Sequence, residues 1–131
     1  MHALIVEDES LTAWLIEEEL RDLGFTSVET AATEEDAVAA AEQQRPDLIT
    51  SDGRLQQGSG LSAVQRICAR TPIPVIFITG EVPATCDLPL GAIVLEKPFA
   101  ARHLVSAVIS LIPGLDQRCP SSPTFSDAEA A

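Results

Sequence analysis

Apolar positions in this chain come in short blocks separated by amphipathic stretches. "ALIV" (3–6) is an apolar run stopped by "EDE", the pattern of a strand covered on both faces. From Ser10 to Leu23, Ile16, Leu20 and Leu23 recur at helical spacing with acids between them, Ser10 as N-cap and Gly24 as the stop. "TSVETAA" predicts a second strand. "TEEDAVAAAEQQRP" predicts a helix, opened by Thr33 and Asp36 in capping-box spacing and closed before Pro46.

The alternation continues through "DLITS" (strand), "GLSAVQRICAR" (helix), "PVIFIT" (strand), "GAIVLE" (strand) and "FAARHLVSAVISLI" (helix), ended by Pro113 and Gly114. Between the fourth and fifth strands, "GEVPATCDLPL" with Pro83 and Pro89 has room for about one helical turn. Strands alternating with helices predict an α/β fold with a doubly wound, five-stranded parallel sheet and a fourth helix short or absent. On the last helix Leu104, Val108, Leu111 and Ile112 suit the core, while Val105 and Ile109 form an adjacent stripe. His103 reads as solvent-facing and His2 as a terminal residue. No repeat of solenoid length occurs. Residues 1–112 read as one domain, and 113–131 as a disordered acidic tail rich in Pro and Ser.

In such sheets ligands bind beyond the carboxyl ends of the strands. There the chain places Glu7 and Asp8 (first strand), Asp52 (third), Thr79 and Gly80 (fourth), and Lys97 with Pro98 (fifth). Two carboxylates about 4 Å apart repel by roughly 4 kcal/mol at an effective dielectric near 20, so such a cluster needs a compensating charge. A hard divalent cation, Mg2+, suits a few carboxylates and a carbonyl in a half-open site, and Lys97 balances part of the remainder. Taken singly, an acid after a strand is most often a helix cap and a lone lysine a solvated ammonium. Their joint appearance at four strand ends is what points to a site.

Charge sharpens the picture. Eight basic against twenty acidic side chains give a net charge of −12, which disfavours nucleic acid and anionic membrane surfaces as partners. Aromatic residues make up only 4% of a chain that is 46% hydrophobic, so the core must be aliphatic. No apolar run approaches the ~20 residues that span a bilayer. The first residues lack a signal peptide's basic region, and Cys68, Cys86 and Cys119 lack metal-type spacing; a cytoplasmic protein is expected.

The stretches "LIVEDES", "PDLITSDGRL" followed by "GSGL", "PVIFITG" and "GAIVLEKPF" resemble the receiver domain of bacterial two-component response regulators, and the last helix extends the match to about residue 112. The resemblance implies strand order 2-1-3-4-5. It implies Asp52 as the acceptor of a phosphoryl group from the histidine of a kinase or phosphotransfer protein. It also implies Mg2+ ligated by Asp8, Asp52 and the main-chain carbonyl of Arg54, with Glu7 acting through water. Thr79 would hydrogen-bond the phosphoryl group and Lys97 would pair with it. Lys97–Pro98 is expected to be cis, as such bonds often are in the family. Ser51 should point to the opposite side of its strand from Asp52 and is not the acceptor.

Four features depart from the family pattern. Glu7 replaces the commoner Asp. Val94 stands where many members carry a switching Tyr or Phe. The fourth helix shrinks to a remnant. Arg54 and Glu81 flank the pocket mouth, and pairing across it would hinder water and set the acyl phosphate's lifetime. "PVIFITG" is weakly similar to a stress-response receiver subgroup with a shortened fourth helix, through Phe77, Thr79 and Gly80.

The expected function is that of a single-domain response regulator in a Mg2+-dependent phosphorelay, a signalling domain rather than an enzyme. It would act through a downstream protein target or as a phosphate sink. Leu11, Thr12 and Leu15 are a candidate docking patch for the kinase, or else part of the core; Trp14 reads as partly exposed packing. Two alternatives stand beside this reading. One is a small aspartyl-phosphate phosphatase, although Arg54 occupies the position of its general acid. The other is an unphosphorylated scaffold, suggested by Val94 and the lost helix.

Overall fold

The apolar run 3–6 should form a strand buried on both faces. The computed structural model describes residues 1–80 and 91–112, and that strand is buried throughout. β1 (His2–Val6), β3 (Leu48–Ser51) and β4 (Val75–Thr79) are buried at every position. β2 (Ser27–Ala31) and β5 (Ile93–Glu96) are partly exposed. The sheet is parallel throughout, in the order β2-β1-β3-β4-β5, so the two exposed strands are its edges.

Four helices lie among the described residues: α1 (Ser10–Asp22), α2 (Glu34–Gln43), α3 (Gly60–Cys68) and α4 (Ala101–Leu111). Because successive side chains of a strand point to opposite faces, each strand feeds two cores. Ala3, Ile5, Leu48, Ile76 and Ile78 pack with Ile16, Leu20, Leu104 and Val108 from α1 and α4. Leu4, Val6, Ile49, Val75 and Phe77 pack with Ala37, Ala40, Ala63 and Val64 from α2 and α3. Each fully buried Leu, Ile or Phe contributes about 1.5–3 kcal/mol, so these two layers outweigh any single polar contact. No helix of the described residues is long and apolar enough to cross a membrane.

Local signals act as expected at most helix ends. Thr33 Oγ accepts from the Asp36 N–H at 3.1 Å at the start of α2. Gly24 takes φ 113°, its N–H donates to the Arg21 carbonyl at 3.0 Å, and the Phe25 N–H reaches the Leu20 carbonyl at 3.1 Å. This left-handed closure satisfies the last carbonyls of α1. Two expectations need correction. The N-cap of α1 is Glu9 rather than Ser10, and Thr12 Oγ1 donates to the Glu9 carboxylate. His2 is not a free terminal residue: it is only 6% exposed, its N–H donates to Asp47 Oδ2 at 2.8 Å, and its Nδ1 lies 2.8 Å from Ser27 Oγ. The remnant helix between β4 and β5, Glu81 and the tail 113–131 fall outside the described residues.

Candidate functional site

The backbone ladder runs one residue past the strand ends. Glu7 N–H donates to the Ala31 carbonyl, Asp52 N–H to that of Val6 and Lys97 N–H to that of Thr79, each at 2.9 Å. Sheet hydrogen bonding therefore fixes these three Cα positions, not loop packing. Glu7, Asp52 and Lys97 also fall two residues beyond Ile5, Thr50 and Leu95, so strand alternation sends their side chains toward the α1–α4 side.

They meet there. Lys97 Nζ lies 3.1 Å from Asp52 Oδ2 and 3.4 Å from Glu7 Oε1. Asp8 joins them from the bend after β1, and its Oδ2 accepts from the Gln56 N–H at 2.7 Å. One carboxylate oxygen from each of Glu7, Asp8 and Asp52 lies within 4.8 Å of the others. Asp52 Oδ1 also accepts from the Arg54 N–H at 3.2 Å. Thr79 is buried on the α2–α3 side of β4, and its Oγ1 faces the loop after Asp52, 3.5 Å from where a Cβ on Gly53 would stand. Lys97–Pro98 is cis.

The electrostatics are unequal. Glu7 is nearly enclosed, with 2% of its side chain exposed, against 14% for Asp52 and 26% for Lys97. Burial pushes the Glu7 carboxyl up; the Lys97 ammonium pulls it down without cancelling that, and the Asp52 charge adds to the rise. Burial pulls Lys97 down, but the hydrogen bond it donates to Asp52 and the charges of Glu7 and Asp52 leave it raised overall. A single ammonium facing three converging carboxylates leaves net negative charge, and the free ligand atoms are all oxygen. That donor set fits a hard divalent cation. Among the described residues no other group of acids, histidines and cysteines converges in this way.

Sequence reasoning named every side chain in this cluster but missed three neighbours. Gly60, the first residue of α3, lies so close to the end of β3 that a Cβ there would stand 1.6 Å from the Asp52 carbonyl oxygen and 2.5 Å from Ser51 Oγ. Only the "GSGL" stretch hinted at it. The Gln56 amide on Asp8 is a main-chain donor and carries no residue-type signal. Glu34 reads in sequence as an ordinary first-turn acid. The expected pairing of Arg54 with Glu81 involves a residue outside the described set. Val94 pairs in register with Phe77 and packs on the α2–α3 side.

The comparisons with known proteins agree with this geometry. The response regulator receiver domain matches residues 3–109, and the chain belongs to that family, whose members signal by phosphorylation on aspartate within two-component systems. The chain is 42% identical over 111 residues to the phyllosphere-induced regulator PhyR of Methylorubrum extorquens, covering 82% of this chain and 41% of that protein. It thus spans less than half of that relative's length. The solution structure of the PhyR receiver domain of Erythrobacter litoralis superposes with a TM-score of 0.77 at 33% identity, over 85% of this chain and 88% of that one. The receiver domain of a Pseudomonas aeruginosa sensor histidine kinase superposes with a TM-score of 0.74 at 31% identity, over 86% and 97%. That structure carries a magnesium ion coordinated in the active site cleft.

Proposed function

We propose that Asp52 is the phosphoacceptor and that this protein takes a phosphoryl group from a phosphohistidine donor. The observation that carries the reading is the contact of Lys97 Nζ with Asp52 Oδ2 at 3.1 Å, beside the carboxylates of Glu7 and Asp8. An Asp52 carboxylate oxygen attacks phosphorus as the phosphorus–nitrogen bond of the donor breaks. The electron pair leaves with the imidazole, and Asp52 becomes an acyl phosphate. Such a transfer needs alignment and charge neutralisation more than covalent machinery. Lys97 holds one carboxylate oxygen and meets the incoming negative charge. The Thr79 hydroxyl donates to a phosphoryl oxygen in this reading, which its Oγ1 facing Gly53 supports.

Asp8, Asp52 and the Arg54 main-chain carbonyl would hold Mg2+, with Glu7 acting through water; the ion, when bound, neutralises the phosphoryl oxygens. Glu7 is better suited to a water-mediated role because it is buried and already engages Lys97.

A docking surface lies beside the acceptor. Leu11, Trp14 and Leu15 on α1 are 64%, 53% and 47% exposed. Leu15 and Thr12 also line a groove of about 580 Å³ with Pro98, Phe99 and Lys97. A donor helix seated there would bring its histidine to the Asp52 side of the pocket. The outgoing signal passes by protein contact, in the cytoplasm. The phosphatase alternative is disfavoured because Arg54 stands where its general acid would be.

Incubation with Mg2+ and acetyl phosphate tests the reading. A phosphoryl mass that appears on the wild type and is lost in Asp52→Asn supports it. Absence of that mass on the wild type, or its persistence in Asp52→Asn, overturns it.

A further inference from the structure

The loop between β3 and α3 supplies main-chain donors to two of the three carboxylates: the Arg54 N–H to Asp52 and the Gln56 N–H to Asp8. Within it, Gly60 N–H donates to the Gly53 carbonyl at 3.2 Å, and Arg54 and Ser59 form a bridge. At its far end the loop is tied to α2, and nearly every tie runs to one residue. Glu34 N–H donates to the Gln57 carbonyl at 3.2 Å. Glu34 Oε1 accepts from the Ser59 N–H at 3.1 Å. Glu34 Oε2 accepts from Ser62 Oγ at 2.8 Å and from Arg66 Nη1 at 3.0 Å.

Two further facts separate Glu34 from an ordinary first-turn acid. Its side chain is 17% exposed, whereas that of Glu35, which also meets Arg66, is 79% exposed. Gly58 takes φ +90°, and a Cβ there would stand 2.5 Å from Glu34 Cβ, so the loop is shaped around this side chain.

We propose that Glu34 is a positioning residue that holds the 53–59 loop in register with Asp8 and Asp52, and so sets how well the carboxylate cluster binds a divalent cation. The inference rests on the phosphoacceptor reading and extends it to a residue on a different helix. Its carboxylate spans the loop's main chain (Ser59 N–H) and the first and second turns of α3 (Ser62, Arg66). Removing it frees the loop end, and the Gln56 amide loses its fixed place on Asp8.

The test compares wild type, Glu34→Ala, Glu34→Asp and Glu34→Gln by Mg2+ titration calorimetry, and by amide hydrogen exchange of Gln56 in Mg2+-free protein. Losing hydrogen bonds to a charged group should weaken Mg2+ binding about fivefold in Glu34→Ala and speed Gln56 exchange about tenfold. Glu34→Gln keeps an oxygen for Ser59 and should recover most of both. Glu34→Asp keeps the charge but shortens the reach; it should behave like Glu34→Ala, and it takes that variant's place should Glu34→Ala not fold. A folded Glu34→Ala or Glu34→Asp with wild-type Mg2+ affinity overturns the proposal, even if its melting temperature falls. Unchanged Gln56 exchange overturns it as well. A wild type that binds no Mg2+ removes the phosphoacceptor reading and this inference together.

Discussion

Lys97 reaches Asp52 from a backbone it does not share: its own amide is fixed to the Thr79 carbonyl at 2.9 Å, and its Nζ crosses to Asp52 Oδ2 at 3.1 Å. The ammonium thereby occupies one face of the same carboxylates that would hold a cation. Lys97→Met should remove that competition and tighten Mg2+ binding by about three- to tenfold, roughly 1 kcal/mol of relieved repulsion. It should also lower the yield of acyl phosphate, because the incoming phosphoryl charge loses its partner. Calorimetry with Mg2+ and intact-protein mass after acetyl phosphate measure the two effects separately.

Glu7 makes stability depend on pH. Burial, aided by Asp52 and opposed by Lys97, holds its carboxyl above the ordinary value of 4.5. The folded state therefore binds more protons than the unfolded state between 4.5 and the raised value, and the Glu7 contribution to stability falls as pH rises through that window. In Mg2+-free buffer, wild type should lose stability relative to Glu7→Gln as pH rises from 4.5 through the raised value. Urea unfolding of both proteins across that range checks the sign, and added Mg2+ should shrink the difference.

Gly60 should tolerate no side chain. A methyl group 1.6 Å from the Asp52 carbonyl oxygen must displace either β3 or the start of α3. Gly60→Ala is expected to cost about 2–3 kcal/mol by overpacking and to reduce Asp52 phosphorylation in the fraction that folds. Urea unfolding gives the first, and phosphoryl mass per folded protein the second.

The exposed face of α1 should matter only to a macromolecular donor. Leu11→Ala combined with Leu15→Ala removes side chains that are 64% and 47% exposed, so stability should change by less than about 0.5 kcal/mol. Transfer from the cognate phosphohistidine protein should slow about tenfold, while labelling by acetyl phosphate stays at the wild-type rate. Equal slowing with both donors would place the defect in the pocket instead.

Much of this protein was legible in its residues alone. The apolar run 3–6 marked β1 as a strand buried on both faces, and the alternation of apolar blocks with amphipathic stretches marked the five parallel strands. Chemistry-bearing residues just past the runs announced Glu7, Asp8, Asp52, Thr79 and Lys97 as neighbours. Both inferences work because burial and strand alternation are local rules with a fixed period, and a parallel sheet brings all carboxyl ends to one side.

Tertiary structure decided what periodicity cannot encode. Leu11 and Leu15 lie off the Ile16–Leu20 stripe of α1, and only the folded chain brings Leu15 beside Pro98 and Phe99 at the edge of a groove. His2 is buried because β2 and the turn before β3 close over it. The Gln56 amide on Asp8, the approach of Gly60 to Asp52 and the grip of Glu34 on Ser59 join residues distant in sequence through main-chain atoms or a missing Cβ. Every residue type except proline carries the same main-chain donor, so residue identity does not announce such contacts before the chain has folded.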